Sequence, residues 1–428
     1  MPMLPLLLGA LGLVLAVLAA SPAQARQGEG RFVRSYWFER GIEHANPKPA
    51  RPIRVNSPES VVGRFADRPE VRDNGLAMIL VEEDLTQLAG AELYAEIWGG
   101  HPGTAGKRVS INGRGGYELP DDGVAAGHCA HSYPLIPINV TDLVNGHNAV
   151  QFAAEQGTTF WGHYIVDNVA LRAILEPDHP DLAALGLAGF DASVRATPAD
   201  DGEAIELALE VDPAWQAMID KVVFQGRYVG YDENGSMRGD DWHGFTKRRQ
   251  PVAVLGVADE PGERVRWDVS MLPAQQDVAV RAVVHFREPA QLSFETPAVT
   301  GLAVNERPGV RVELVKPSHM PRPFWSRASR PMRATLELPV DPEAIERAQL
   351  HIVIWDGGRG NVEHPFKLNG QPLDIAGAGH HDTIYRVLEL DPAMLVGGEN
   401  ELTLLSDTEH HGIEVLLPGP ALMLRYRD

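Results

Sequence analysis

Cysteine is nearly absent: Cys129 is the only one in 428 residues. No disulfide can form within the chain, so its stability must come from packed cores, which a chain of this length can supply. A lone thiol outside the cytoplasm is either reactive or buried as a small apolar side chain, and burial is the commoner fate. Positive charge is scarce too. Lys and Arg total 38 against 58 Asp and Glu, a net −20. That balance argues against nucleic acid or anionic lipid as partners, because the averaged surface repels both. Past the first twenty residues no apolar run reaches the ~18–20 residues a membrane span needs. Motifs for nucleophiles and phosphates are missing as well, with no G-x-S-x-G, no Walker A and no dinucleotide glycine pattern after a strand. Helical periodicity is weak throughout. What the chain has is 44% hydrophobic residues, enough for packed cores, with 42 glycines and 33 prolines, a composition suited to many short strands and turns.

Residues 3–20 read MLPLLLGALGLVLAVLAA, and Ala23-Gln24-Ala25 follows as a small-x-small pattern. This predicts a secretory signal peptide over 1–25, cut near Ala25, and a mature protein that is periplasmic or extracellular. The alternative is an uncleaved anchor, which Pro2, Pro5 and the two glycines disfavour as a long helix. The segment 26–60 is locally basic and reads as a strand leading into the first sandwich or as a docking arm.

The chain repeats itself. AELYAEIWGGHPGTAGKRVSING (91–113) aligns without a gap on AQLHIVIWDGGRGNVEHPFKLNG (348–370). Trp98 falls on Trp355, Gly100 on Gly357, Gly103 on Gly360, and Asn112-Gly113 on Asn369-Gly370. After a small deletion the match resumes at Gly127-His128 on Gly379-His380, Tyr133 on Tyr385, and 137–152 on 388–404. Each copy reads as strands, with alternating runs such as YAEIW and HIVIW and an Asn-Gly between strand-like segments that accepts the backbone of a tight hairpin. The series I-W-x-G-x-x-G, a strand, Asn-Gly, L-V-x-G-x-N-x-[VL] and a terminal strand resembles the galactose-binding-like jelly rolls, which are carbohydrate-binding-module-like domains. The resemblance covers roughly 60–175 and 308–428. It implies a module of the kind that binds carbohydrate or accompanies glycoside hydrolases, in a family that also includes binders of protein or lipid.

Between the copies, EAIELALEV, KVVFQGRYVGY, VRWDVSML and VAVRAVVHF read as strands of an immunoglobulin- or fibronectin-like sandwich. The expected fold class is therefore all-β, with two jelly-roll β-sandwiches separated and held apart by an immunoglobulin-like β-sandwich. The units are 26–177 (first jelly roll with its N-terminal arm), 178–306 and 307–428.

Most of the 16 histidines fall in the two copies, many in loops that a jelly roll can bring together at one end. The first copy offers Asp121, Asp122, His128, His131, Trp161 and His163. The second offers Asp356, Arg359, His364, His380, His381, Asp382, His410 and His411. Three readings stay open. The residues form a sugar site, in which His, Asp and Arg bond hydroxyls and Trp161 stacks. They form a transition-metal site, although no H-E-x-x-H spacing occurs. Or they are solvated loop histidines. Trp98 and Trp355 read as core residues that seal a sandwich end, and Asn112 and Asn369 as turn residues.

In the middle unit, GRYVGYDENGSMRGDDWHGF (226–245) interleaves aromatics and carboxylates. Tyr231, Trp242 and His243 are candidate sugar contacts. Asp232, Asp240 and Asp241 are the candidates for the acid–base pair of a glycoside hydrolase, and a long hairpin packed on its sheet is the alternative. No cofactor is required. Calcium is the candidate structural ion, held by Asp and backbone carbonyls. The leading function is a secreted, non-catalytic binder of polysaccharide or glycan. A glycan-degrading enzyme and a structural or adhesive extracellular protein are the alternatives.

Overall fold

The protein is described by a computed structural model covering residues 29–38, 53–58, 74–100, 103–120, 129–157, 164–231, 255–260, 262–375, 379 and 381–427. The proposed signal peptide lies outside them. No helix among the described residues is long and apolar enough to cross a membrane. The chain is all-β, built of packed antiparallel sheets.

The largest sheet has 11 strands and runs without a break from the middle unit into the first copy. Strand Arg31–Trp37, in the basic segment, makes it continuous. One edge pairs Val33 with Ile174 of Tyr164–Leu175, and the other pairs Phe32 with Phe294 of Leu292–Glu295. Two smaller sheets cover one face of this surface. Over the first copy lies a four-stranded sheet containing Leu76–Val81 and Gly146–Ala153; over the middle unit lies a three-stranded sheet containing Ala192–Pro198 and Ala204–Val211. The first interior holds Leu93, Val150 and Phe152, the second Phe224, Val278 and Phe294, and Tyr36 of the bridging strand touches both.

Alternation explains which side chains go where. Leu76–Val81 buries every second residue against the core and exposes Met78 and Leu80, as a two-residue period requires of a half-buried strand. Leu88–Trp98 is buried along almost its whole length. Ala95 and Ile97 enter the sandwich interior, while Tyr94, Glu96 and Trp98 face the other side, where further protein covers them.

The second copy repeats the first at the level of single bonds. Its sheets have six and five strands. Strand Val310–Val315 pairs with Ala421–Arg427 as Arg31–Trp37 pairs with Tyr164–Leu175, and Phe324–Ser326 flanks Gly412–Val415 as Ile53–Val55 flanks Tyr164–Leu175. In the first copy Asn112 (φ 54°) donates to Asn148 Oδ1 at 2.8 Å and to the Asp142 carbonyl, and accepts from the Ala149 amide. In the second, Asn369 (φ 49°) donates to Asn400 Oδ1 at 2.7 Å and to the Met394 carbonyl, and accepts from the Glu401 amide. Asn148 and Asn400 close the same turn, each bonding both the amide and the carbonyl of the valine four residues before it. Asparagine tolerates the left-handed backbone here and saturates the turn's polar groups at once.

The copies are not held apart by the middle unit, which corrects the expectation from sequence. Ala130 and Leu417 form a parallel bridge, and the Leu417 amide donates to the Cys129 carbonyl at 2.9 Å. Trp98, Cys129, Tyr231, Val353, Leu416 and Ala421 form one apolar cluster that joins all three units, with Trp355 and Tyr385 at its margin. Trp98 therefore seals the contact between copies instead of a sandwich end, and Trp355 borders it. Cys129 is buried there. Burial raises its thiol pKa, and so does the neighbouring Glu414 carboxyl.

A buried charge network ties the first copy to the middle unit. Arg31 and Arg172 each bridge Glu92 and Glu295, and Arg281 reaches Glu295 at 3.2 Å. Burial opposes the charge on Glu295, yet Arg281, Arg172 and Arg31 outweigh it and hold the carboxyl well below its ordinary range. Burial pulls Arg281 down to about 10 against the attraction of Glu295.

Candidate functional site

Of the sequence candidates, Asp121, Asp122, His128, Trp161, His163, His380, Asp232, Asp240, Asp241, Trp242 and His243 lie outside the described residues, and of Asp382 only the backbone is described. The other candidates divide into buried and exposed.

Three are buried, and two of them, His131 and Tyr231, serve packing. His131 is 1% exposed, its Nε2 is 3.0 Å from Asp167 Oδ2, and its ring lies against Tyr133. Tyr231 is 3% exposed. Its hydroxyl donates to the Gly419 carbonyl at 2.8 Å and accepts from the Val353 amide at 3.0 Å, and its ring stacks on Tyr385. Tyr231 is thus a plug between the middle unit and the second copy. Reading it as a sugar contact is corrected on this ground, since both functions of its hydroxyl are spent inside the protein.

Arg359, His364, His381, His410 and His411 are exposed, and the loops carrying them converge at one end of the second copy. The buried Asp356 organises these loops. It accepts from the Gly358 amide at 3.1 Å and the Gly379 amide at 3.4 Å, while its carbonyl accepts from the His381 amide at 2.8 Å. Asp407 accepts from the Asn361 amide at 2.8 Å, and Ser406 bonds the Gly358 carbonyl. Two glycines are required for steric reasons. A Cβ on Gly360 would fall 1.7 Å from Asp407 Oδ1, and one on Gly412 2.0 Å from the Ser326 carbonyl oxygen, and both positions have a left-handed φ.

On this scaffold the His381 and His411 rings meet edge to face at 4.5 Å, with His381 Nε2 on His411 Nδ1. Trp355 lies 5.5 Å from the first ring and 6.0 Å from the second. Trp325 extends the patch: its indole N–H donates to the His411 carbonyl at 2.6 Å, and the Arg327 guanidinium covers its ring at 4.3 Å. Partial burial lowers the His411 pKa, helped by His381, His410 and Arg54, so this imidazole is neutral near pH 7. A neutral imidazole both donates and accepts a hydrogen bond. The patch combines aromatic faces with such groups, a chemistry suited to hydroxyl-rich ligands. Arg359 does not join it; its guanidinium is turned back to the Glu363 carbonyl at 2.9 Å. Among the described residues no group of three or more His, Cys, Asp or Glu is placed to hold a metal ion.

Trp325 and Arg327 escaped the sequence reading because they precede the stretch where the copies align. Their signal was the Phe-Trp-Ser-Arg run, an aromatic beside cations at the end of a short strand.

No protein-family model matches the chain, and no curated protein matches it. Solved structures do. A β-porphyranase of glycoside hydrolase family 86, BpGH86A from the human gut bacterium Bacteroides plebeius, is 12% identical, with 56% of this chain and 36% of that chain covered and a TM-score of 0.23. BuGH86 in complex with neoagarooctaose is 9% identical over 55% and 33%, at 0.24. The exo-β-1,3-galactanase Pc1,3Gal43A from Phanerochaete chrysosporium is 8% identical over 69% and 64%, at 0.18. The chain spans about a third of the length of the family 86 enzymes. TM-scores this low carry no functional argument.

Proposed function

We propose that the chain is an exported, non-catalytic glycan-binding protein of three units, 26–177, 178–306 and 307–428, that contacts its ligand through loops of the second copy. The observation that carries this reading is the patch of Trp325, Trp355, His381 and His411, where two strand tryptophans meet the imidazoles of two converging loops. Rings of this kind stack on the C–H faces of sugars, and imidazoles serve the hydroxyls around them. Direct contact between the copies makes the units one platform, so any second site lies at a fixed distance from the first.

Retention of the full chain on columns of immobilised neutral polysaccharides tests the reading. Native protein should be retarded by at least one of them, and Trp325→Ala with His411→Ala should elute near the void. Retention unchanged in those variants would remove the loops as the contact surface. Passage of the native protein through every column would overturn glycan binding itself.

A further inference from the structure

A second surface stands where the first copy meets the middle unit. Here the bridging strand, the exposed side of strand Leu76–Val81 and the turn after Gln275–Phe286 enclose a groove of about 1060 Å³. A smaller hollow of about 330 Å³ continues it, sharing the walls Tyr36, Glu82, Pro289 and Gln291. The volume exceeds the ~300–1,000 Å³ usual for small-molecule sites, and the two hollows run on from one another, so the space suits an elongated occupant.

Its lining is mixed in a particular way. Met78 and Leu80, 46% and 45% exposed, form the apolar stretch of one wall, while Trp37 lines the groove from the other sheet, its ring set edge-on against Tyr94 at 5.7 Å. His147 stands directly across from Leu80 in the strand register. On the opposite wall Lys221 pairs in register with His285, and Arg287 lies 3.9 Å from Asp220. Burial, with Lys221 beside it, pushes His285 down to about 4, so it is uncharged at neutral pH. The lining thus carries the cations Lys221 and Arg287 together with the carboxylates Glu82, Asp220 and Glu288. A polyanion would face three carboxylates and a purely apolar chain would strand the charged walls. An uncharged polyhydroxylated chain matches both the apolar stretch and the alternating donors and acceptors.

We infer that this groove is a second binding site, taking a strand of uncharged polysaccharide across the joint between the first copy and the middle unit. The inference rests on the glycan-binding reading above but uses none of the same residues.

Titration calorimetry of the full chain with cellohexaose, laminarihexaose and neoagarohexaose, and with hexagalacturonate as the anionic control, tests it. Leu80→Glu with Lys221→Glu changes two groove residues. The expected result is two sites per native chain for a neutral hexasaccharide, with one lost in the groove variant and the other lost in Trp325→Ala with His411→Ala. A single site that survives the groove variant and disappears in the loop variant overturns the groove while leaving the function intact. A single site with the reverse behaviour supports the groove and removes the loop surface. Tighter binding of hexagalacturonate overturns the uncharged specificity. Binding of none of the four overturns both proposals.

Discussion

Replacing Tyr231 with Phe takes one oxygen out of the contact between the middle unit and the second copy. That oxygen bonds the Gly419 carbonyl and the Val353 amide in a site 3% exposed. Phe keeps the ring and its stacking on Tyr385, so apolar burial is preserved and no large cavity opens. What remains is a buried N–H and a buried C=O without their partner, at about 1–3 kcal/mol for each unsatisfied group. Relaxation of the Gly419 turn recovers part of this, which leaves an expected loss of about 1–3 kcal/mol. At 1.4 kcal/mol per tenfold, opening of this contact should become roughly 5- to 100-fold more frequent. Hydrogen–deuterium exchange reads it at one position: the Val353 amide should lose protection by that factor, while amides in the interior of the first copy, such as Val150, keep theirs. Equal protection of Val353 in Tyr231→Phe and native protein would refute the claim that this hydroxyl fastens the units together.

Three further outcomes follow from the geometry. Burial raises the Glu414 carboxyl from 4.5 to about 7. The folded state therefore holds this proton while the unfolded state releases it, and stability falls as pH rises from about 4.5 to 7. Glu414→Gln should flatten that decline and, above pH 7, raise stability by about 3 kcal/mol; urea midpoints at pH 5 and pH 8 that respond identically in both proteins would contradict it. Asn148→Ala and Asn400→Ala remove matched hydrogen-bond sets, so each should cost about 3 kcal/mol, and denaturation in which one change is silent would break the equivalence of the copies. Glu295→Ala leaves Arg31, Arg172 and Arg281 buried without their shared carboxylate and should cost about 3–5 kcal/mol, read as a lowered melting temperature.

The sequence carried local information well and pairing information poorly. Asn-Gly at 112–113 and 369–370 announced turns, and both asparagines do sit at left-handed φ. The repeat itself is visible because matching strands keep matching alternation. The bridging strand was open to two readings because its partners are set by distance across the chain: Arg31 meets Glu295 264 positions away. Trp98 was misplaced for a related reason. Alternation separates the two faces of a strand, but when both are covered by protein it does not say which is the sandwich interior. Tyr231 looked like a loop contact because its surroundings are glycine-rich and polar, and only the approach of the Val353 strand shows that it is enclosed. At the second copy's loops, histidine clustering anticipated that His381 and His411 come together, while Trp325 and its covering Arg327 lay beyond the aligned block.

The position of strand Arg31–Trp37 governs the order in which the molecule can be assembled. It lies inside the largest sheet, between strands that end at Leu175 and Glu295, so its slot does not exist until nearly three hundred residues have been laid down. The earliest strand described is thus among the last that can be seated, and contacts of such sequence separation slow folding. Until it is seated, Tyr164–Leu175 and Leu292–Glu295 both present unsatisfied edges, the condition under which strands recruit neighbouring molecules. A protein trimmed through residue 38 would live permanently in that state, and aggregation should be its first symptom.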